Sequence, residues 1–86
     1  MKTGAIVYVI GEENADNDFD VTEAVRNLKI EADQVETVSP RSGHFDIMDA
    51  WWSLTVRGMK RIVCMTAEIV NGSDVRLTGR EIQLCE

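Results

Sequence analysis

The run Ala5-Ile6-Val7-Tyr8-Val9-Ile10 constrains the fold most. Continuously apolar and mostly β-branched, it reads as a strand buried on both faces, as in parallel sheets sandwiched between helices. A chain built around such a strand needs an apolar layer above it and another below it. Gly11 ends the run, and a polar loop follows over 12–20.

Asp20 opens a helix whose first free amides it can cap, with Glu23 placed to reach back in a capping box. Phe19 precedes the cap and can staple against Ala24. Val21, Ala24, Val25 and Leu28 recur at helical spacing and give this helix one buried stripe, ending near Lys29. Residues 34–39 alternate, with Val35 and Thr37 on one side and Glu36 and Val38 on the other, which suits an edge or near-edge strand. Pro40 stops it, because proline lacks the amide that a central ladder uses.

After the turn 41–44, the segment 45–60 places Asp46, Asp49, Ser53, Arg57 and Lys60 on one helical stripe. The acids lie at the start and the bases at the end, both favourable to the helix dipole. Phe45, Ile47, Met48, Ala50, Trp51, Trp52, Leu54, Val56 and Met59 wrap well over half of the circumference. A helix on one sheet needs only about 100° of apolar face, so some of this surplus requires another cover. Residues 61–70 read as a further strand, and Asn71-Gly72-Ser73 as a turn. Residues 74–77 and 80–84 alternate around Thr78-Gly79 and suggest a short hairpin.

The element order is thus β-α-β-α-β followed by a hairpin. Strands separated by helical crossovers run parallel, and right-handed crossovers put the most apolar strand, 5–10, between 34–39 and 61–67. The expected fold is α/β, one small three-layer unit over 1–86 with parallel strands in order 2-1-3, extended by a C-terminal antiparallel β-hairpin. The alternative is an α+β sandwich with both helices on one face. The first architecture is Rossmann-like, an analogy of form that carries no function.

Composition narrows the partners. The chain has 86 residues, 44% hydrophobic and 28% charged, an ordinary globular balance for one domain. Nine acids over 12–36 meet only Arg26 and Lys29, whereas residues 37–86 carry equal numbers of acids and bases. A phosphate backbone is repelled by the first half and finds no basic stripe elsewhere, so nucleic-acid binding is not expected. Cys64 and Cys85 are too far apart for a Cys-x-x-Cys pair, and with one histidine no metal site is expected. The short apolar run after Met1-Lys2-Thr3 lacks a cleavage site, no stretch has the length of a membrane span, and a cytoplasmic location is the expectation.

In such a sheet the loops after the first two strands meet at its carboxyl edge, where open α/β sheets bind ligands. The tentative ligand-binding residues there are Gly11, Glu12, Arg41, Ser42, Gly43 and His44. A guanidinium, an imidazole, a hydroxyl and helix-start amides suit a small anion such as phosphate or carboxylate. The plainer reading is that Ser42 or Asp46 caps the helix, Gly43 makes the turn and Arg41 pairs with an acid. No recognisable nucleophile motif accompanies His44, and no catalytic residue is assigned. The segment 16–20 has the alternating carboxylates of a calcium loop, but Val21 and Asn27 stand where glycine and glutamate are needed. No dinucleotide, Walker or nucleophile-elbow motif is present, so no cofactor is expected.

Trp51 and Trp52 project about 100° apart on a helix, so both cannot face one sheet. Met48, Trp51, Trp52 and Val56 are therefore a tentative interface, since tryptophan is enriched where proteins bind one another. The sequence points to a non-catalytic binding or interaction domain that self-associates through this helix. The alternative is a small-anion sensor or enzyme using residues 41–44.

Overall fold

The computed structural model describes residues 2–41, 43–79 and 81–85. Five strands and two α-helices are present among them. They are β1 (Thr3–Ile10), α1 (Val21–Arg26), β2 (Gln34–Val38), α2 (Ile47–Val56), β3 (Arg61–Val70), β4 (Asp74–Leu77) and β5 (Ile82–Cys85). The sheet runs β2-β1-β3-β4, with β5 also bonded to β3. β1 lies in the interior and pairs in parallel with both neighbours, in register from Gly4↔Gln34 to Tyr8↔Val38 on one flank and Thr3↔Arg61 to Ile10↔Glu68 on the other. The α/β unit with parallel order 2-1-3 is the observed architecture.

One apolar layer lies on each face. On one side Val21 and Val25 of α1 pack on Ala5, Val7, Val9, Val63, Met65, Ala67 and Ile69, with Phe19 and Ala24 at the margin. On the other, Ala50 and Leu54 of α2 pack on Ile6, Val38, Met59 and Ile62, with Ile47, Trp51 and Cys64 around them. Gly4 makes room for α2: a Cβ there would lie 2.9 Å from both terminal carbons of Leu54. Burial of β1 on both faces holds through Val7 and Val9, but Tyr8 and Ile10 emerge. Both share the parity of Ile6, so they lie on the α2 side, beyond the part of the sheet where α2 packs.

Local signals set the helix ends. Asp20 caps α1 by accepting from the Glu23 amide at 3.1 Å, and the helix stops at Arg26, short of Lys29, which takes a positive φ of 56°. α2 is also shorter than its apolar periodicity, because Asp46 is its cap and accepts from the Asp49 amide at 2.9 Å. Phe45 is thereby left outside the helix. At the other end Gly58 takes φ 86°, its amide donating to Thr55 O at 3.0 Å while the Met59 amide donates to Leu54 O at 3.1 Å. This paired closure is the Schellman motif, and a glycine in the left-handed region is its usual requirement.

The antiparallel extension is built on β3. Asn71 and Gly72, both at positive φ, turn the chain so that β4 pairs with the far half of β3, Val70↔Asp74 to Ala67↔Leu77. β5 then pairs with its near half, Cys64↔Ile82 and Val63↔Gln83. Residues 74–77 and 82–85 therefore pair with β3 rather than with one another. Between them Thr78 and Gly79 both donate to Thr66 O, so β4 and β5 form one interrupted strand. Alternation defines which face a residue takes and leaves the pairing partner open.

Candidate functional site

The loops after β1 and β2 do meet at the carboxyl edge. Gly11, at φ 85°, leads into a single 3-10 turn at Glu12–Asn14, which carries Glu12 towards the start of the second loop. The Ser39 hydroxyl, almost wholly buried, donates to Glu12 Oε1. Arg41 binds both loops: its amide donates to Ser39 Oγ at 3.2 Å and its NH2 to Asn17 O at 2.8 Å. Its Nε stands 4.0 Å from Glu12 Oε2, a buried oxygen that has no hydrogen-bond partner among the described residues. The corner thus holds its own anion. A phosphate or carboxylate arriving there would face the Glu12 carboxylate and compete with it for Arg41, at a Coulombic cost raised by partial burial.

Ser42 lies outside the described residues. Gly43 bends the loop back onto β2, where a Cβ would come within 2.4 Å of Thr37 O, and its φ is 76°. The His44 amide donates to the same Thr37 O at 2.8 Å, while His44 O accepts from the Ser39 amide at 3.1 Å. That turn sends the imidazole away from Arg41. His44 Nε2 lies 2.9 Å from Glu36 Oε2, while Arg57 NH1 donates to Glu36 Oε1 at 2.8 Å and to Gln34 Oε1 at 3.0 Å. Ser53 Oγ adds a long contact of 3.5 Å to Glu36 Oε1. The polar stripe of α2 is therefore a tie to the edge strand, with Glu36 at its centre.

Of the six residues proposed for an anion site, Gly11, Glu12 and Arg41 come together. Gly43 serves the turn, and His44 belongs to the second cluster. Glu36 and Ser39 organise the two groups and were not singled out from sequence. Their signal is a lone acid alternating with valine on an edge strand, and a hydroxyl just before the strand-ending proline. Among the described residues no three His, Cys, Asp or Glu side chains converge as metal ligands. Cys64 is a free thiol on the α2 side of β3, and burial pushes its pKa up, which keeps it protonated and weakly nucleophilic at neutral pH.

The outer face of α2 is the other candidate. Met48, Trp52 and Val56 recur at steps of four and are 70%, 64% and 66% exposed, and Phe45, just before the Asp46 cap, is 84% exposed. Trp51 is half-buried against the α2-side core. Together with Ile47, Met48 and Leu84 of β5 it lines an apolar groove of about 300 Å³ beside the exposed stripe. The interface residues named from sequence thus divide: Met48, Trp52 and Val56 face solvent, while Trp51 faces the core and the groove. Phe45, the most exposed large apolar residue among the described residues, was assigned to the helix and left out of that interface. Its place just before an aspartate cap was the available signal.

No helix among the described residues is long and apolar enough to cross a membrane. A scan against protein-family models, a search of curated proteins and a search of solved structures each return no match.

Proposed function

We propose that this protein is a non-catalytic interaction domain that self-associates through the outer face of α2. The observation that carries the reading is the apolar stripe Met48, Trp52 and Val56, joined by Phe45 just before the cap, standing in solvent on a helix whose opposite side is already satisfied by the sheet. By their exposures these four side chains offer roughly 550 Å² per copy, near the upper end of the largest patch on an ordinary monomer. Two copies would bury about 1,100 Å², at the small end of specific interfaces, which suits a Kd in the micromolar range.

Charge supports a second copy as the occupant. The acidic segment 12–36 lies in the loop after β1, α1 and β2, whereas the stripe belongs to the half of the chain with balanced charge. Copies meeting through α2 keep their acidic loops from being pressed together. The polar ties at the carboxyl edge support the same reading, since Arg41 and His44 already have acidic neighbours. A free thiol at Cys64 is in keeping with a reducing, cytoplasmic setting.

Sedimentation equilibrium from about 1 to 300 μM, a range bracketing micromolar affinity, tests the proposal. A concentration-dependent dimer that Trp52→Ala weakens at least about tenfold, with an unchanged melting curve, is expected. A strict monomer over that range overturns it.

A further inference from the structure

We infer that the outer face of α2 docks on the sheet of the second copy, over β3 and β5, and that the exchange is reciprocal. The inference rests on the self-association proposed above and names the surface that receives the helix. Nine large apolar side chains are exposed among the described residues. Met48, Trp52 and Val56 are on α2, and Phe45 just precedes it. Tyr8 and Ile10 share the parity of Ile6, Ile82 stands opposite Cys64, and Leu84 meets Ile47 and Trp51 in the groove. These four therefore lie on the α2 side of the sheet. Of the nine, only Leu77, opposite Ala67, lies on the α1 side.

The α2 side of the sheet is only partly covered. α2 packs mainly against β1 and β2, and no second helix lies beside it over β3 and β5 among the described residues. Parallel strands are ordinarily covered by helices on both faces. At 100° per residue, Trp52 and Val56 project about 160° from Ala50 and Leu54, so α2 has two nearly opposed apolar faces. A helix of that kind fits between two sheets. One chain thus carries an apolar ridge without a cover and an apolar strip without a helix, with the groove between Trp51 and Leu84 at their junction. A second copy related by a two-fold axis satisfies both, twice, and sets the two α2 helices in one layer between two sheets. The strip adds roughly 400 Å² of apolar surface per copy to that of the stripe. About 1,900 Å² over the pair falls inside the usual size of a specific interface. Glu68 and Arg76, cross-strand partners of opposite charge, bound the strip at its carboxyl end. The α1 faces, with the acidic loops that lead into them, stay on the outside of the pair.

Ile82→Lys tests this by placing a charge in the receiving strip, on a side chain that is 61% exposed within one copy. It is expected to raise the dimer Kd at least about tenfold in sedimentation equilibrium, with an unchanged circular dichroism spectrum. Leu77→Lys, on the other face, is expected to leave the Kd as it is. A second measurement needs no variant. In a mixture of isotope-labelled and unlabelled wild-type chains, isotope-filtered NOEs are expected from the Trp52 indole to the Ile82 and Ile10 methyls of the other copy. Should Ile82→Lys fail to fold, these NOEs decide alone. If a folded Ile82→Lys dimerises like the wild type, or Trp52 shows NOEs only to α2 of the other copy, docking on the sheet is overturned. Self-association itself then still stands, provided that Trp52→Ala weakens the wild-type dimer. A strict monomer overturns both.

Discussion

The two helices cover opposite faces of one sheet, and their inner surfaces follow the same rule while their outer surfaces do not. α1 buries Val21 and Val25 and turns Glu23 and Arg26 to solvent. α2 buries Ala50 and Leu54 in the same way, yet turns Met48, Trp52 and Val56 outwards. Six residues of α1 make an ordinary amphipathic cover. Ten residues of α2 make a cover with a second apolar face, one the fold itself does not consume. Burial in a monomer explains the first helix completely and only half of the second.

The largest effects should come from the inner faces, where the helices are alike. Leu54→Ala removes a fully buried side chain wedged over Gly4 and should cost about 2–5 kcal/mol in urea-induced unfolding. Val25→Ala, equally buried beneath α1, should cost about 2 kcal/mol, less because fewer atoms are lost. If either proves neutral, the two-layer account of the core fails on that side. Glu36→Ala comes next. It leaves His44 and Arg57 without their shared acceptor at the α2–β2 tie, and a loss of about 1–2 kcal/mol is expected by thermal melting.

The outer faces should then part company. Trp52→Lys should abolish dimerisation in light scattering while leaving unfolding within about 0.5 kcal/mol of wild type, whereas Arg26→Ala on α1 should change neither. Equal behaviour of the two substitutions would erase the distinction between the helices. Trp51→Ala should differ from both by lowering stability, since its indole is partly built into the core. The smallest effect concerns Cys64. Burial raises its pKa, so the thiolate that reacts with iodoacetamide should become abundant only at higher pH than for a small free thiol. Peptide mass spectrometry across pH 7–10 would show this as slow labelling at the acid end.

Most of the layer structure was legible in the chain. The unbroken run 5–10 demanded cover on both faces, and parallel crossovers then left few arrangements. Helix ends were harder, because Asp46 and Gly58 act through single backbone contacts hidden beneath a long apolar periodicity. The pairing of residues 74–85 was hidden for another reason: alternation is indifferent to which neighbour supplies the ladder. At the carboxyl edge the meeting of two loops could be foreseen, but not the aim of their side chains. Gly43 decides that aim by folding the loop onto Thr37 O, which parts His44 from Arg41.

The break between β4 and β5 has a bearing on how far assembly can go. A sheet border with a long unbroken row of free amides invites copy after copy to add on, and growth of that kind has no natural end. Here Thr78 and Gly79 crowd onto one carbonyl and spoil the row midway, while at the opposite border β2 is only five residues long and carries a pinned carboxylate. Neither margin is a good template for fibre growth. In the self-association proposed above, the contact would instead be a helix surface whose two-fold match consumes itself, so that it would close at a pair.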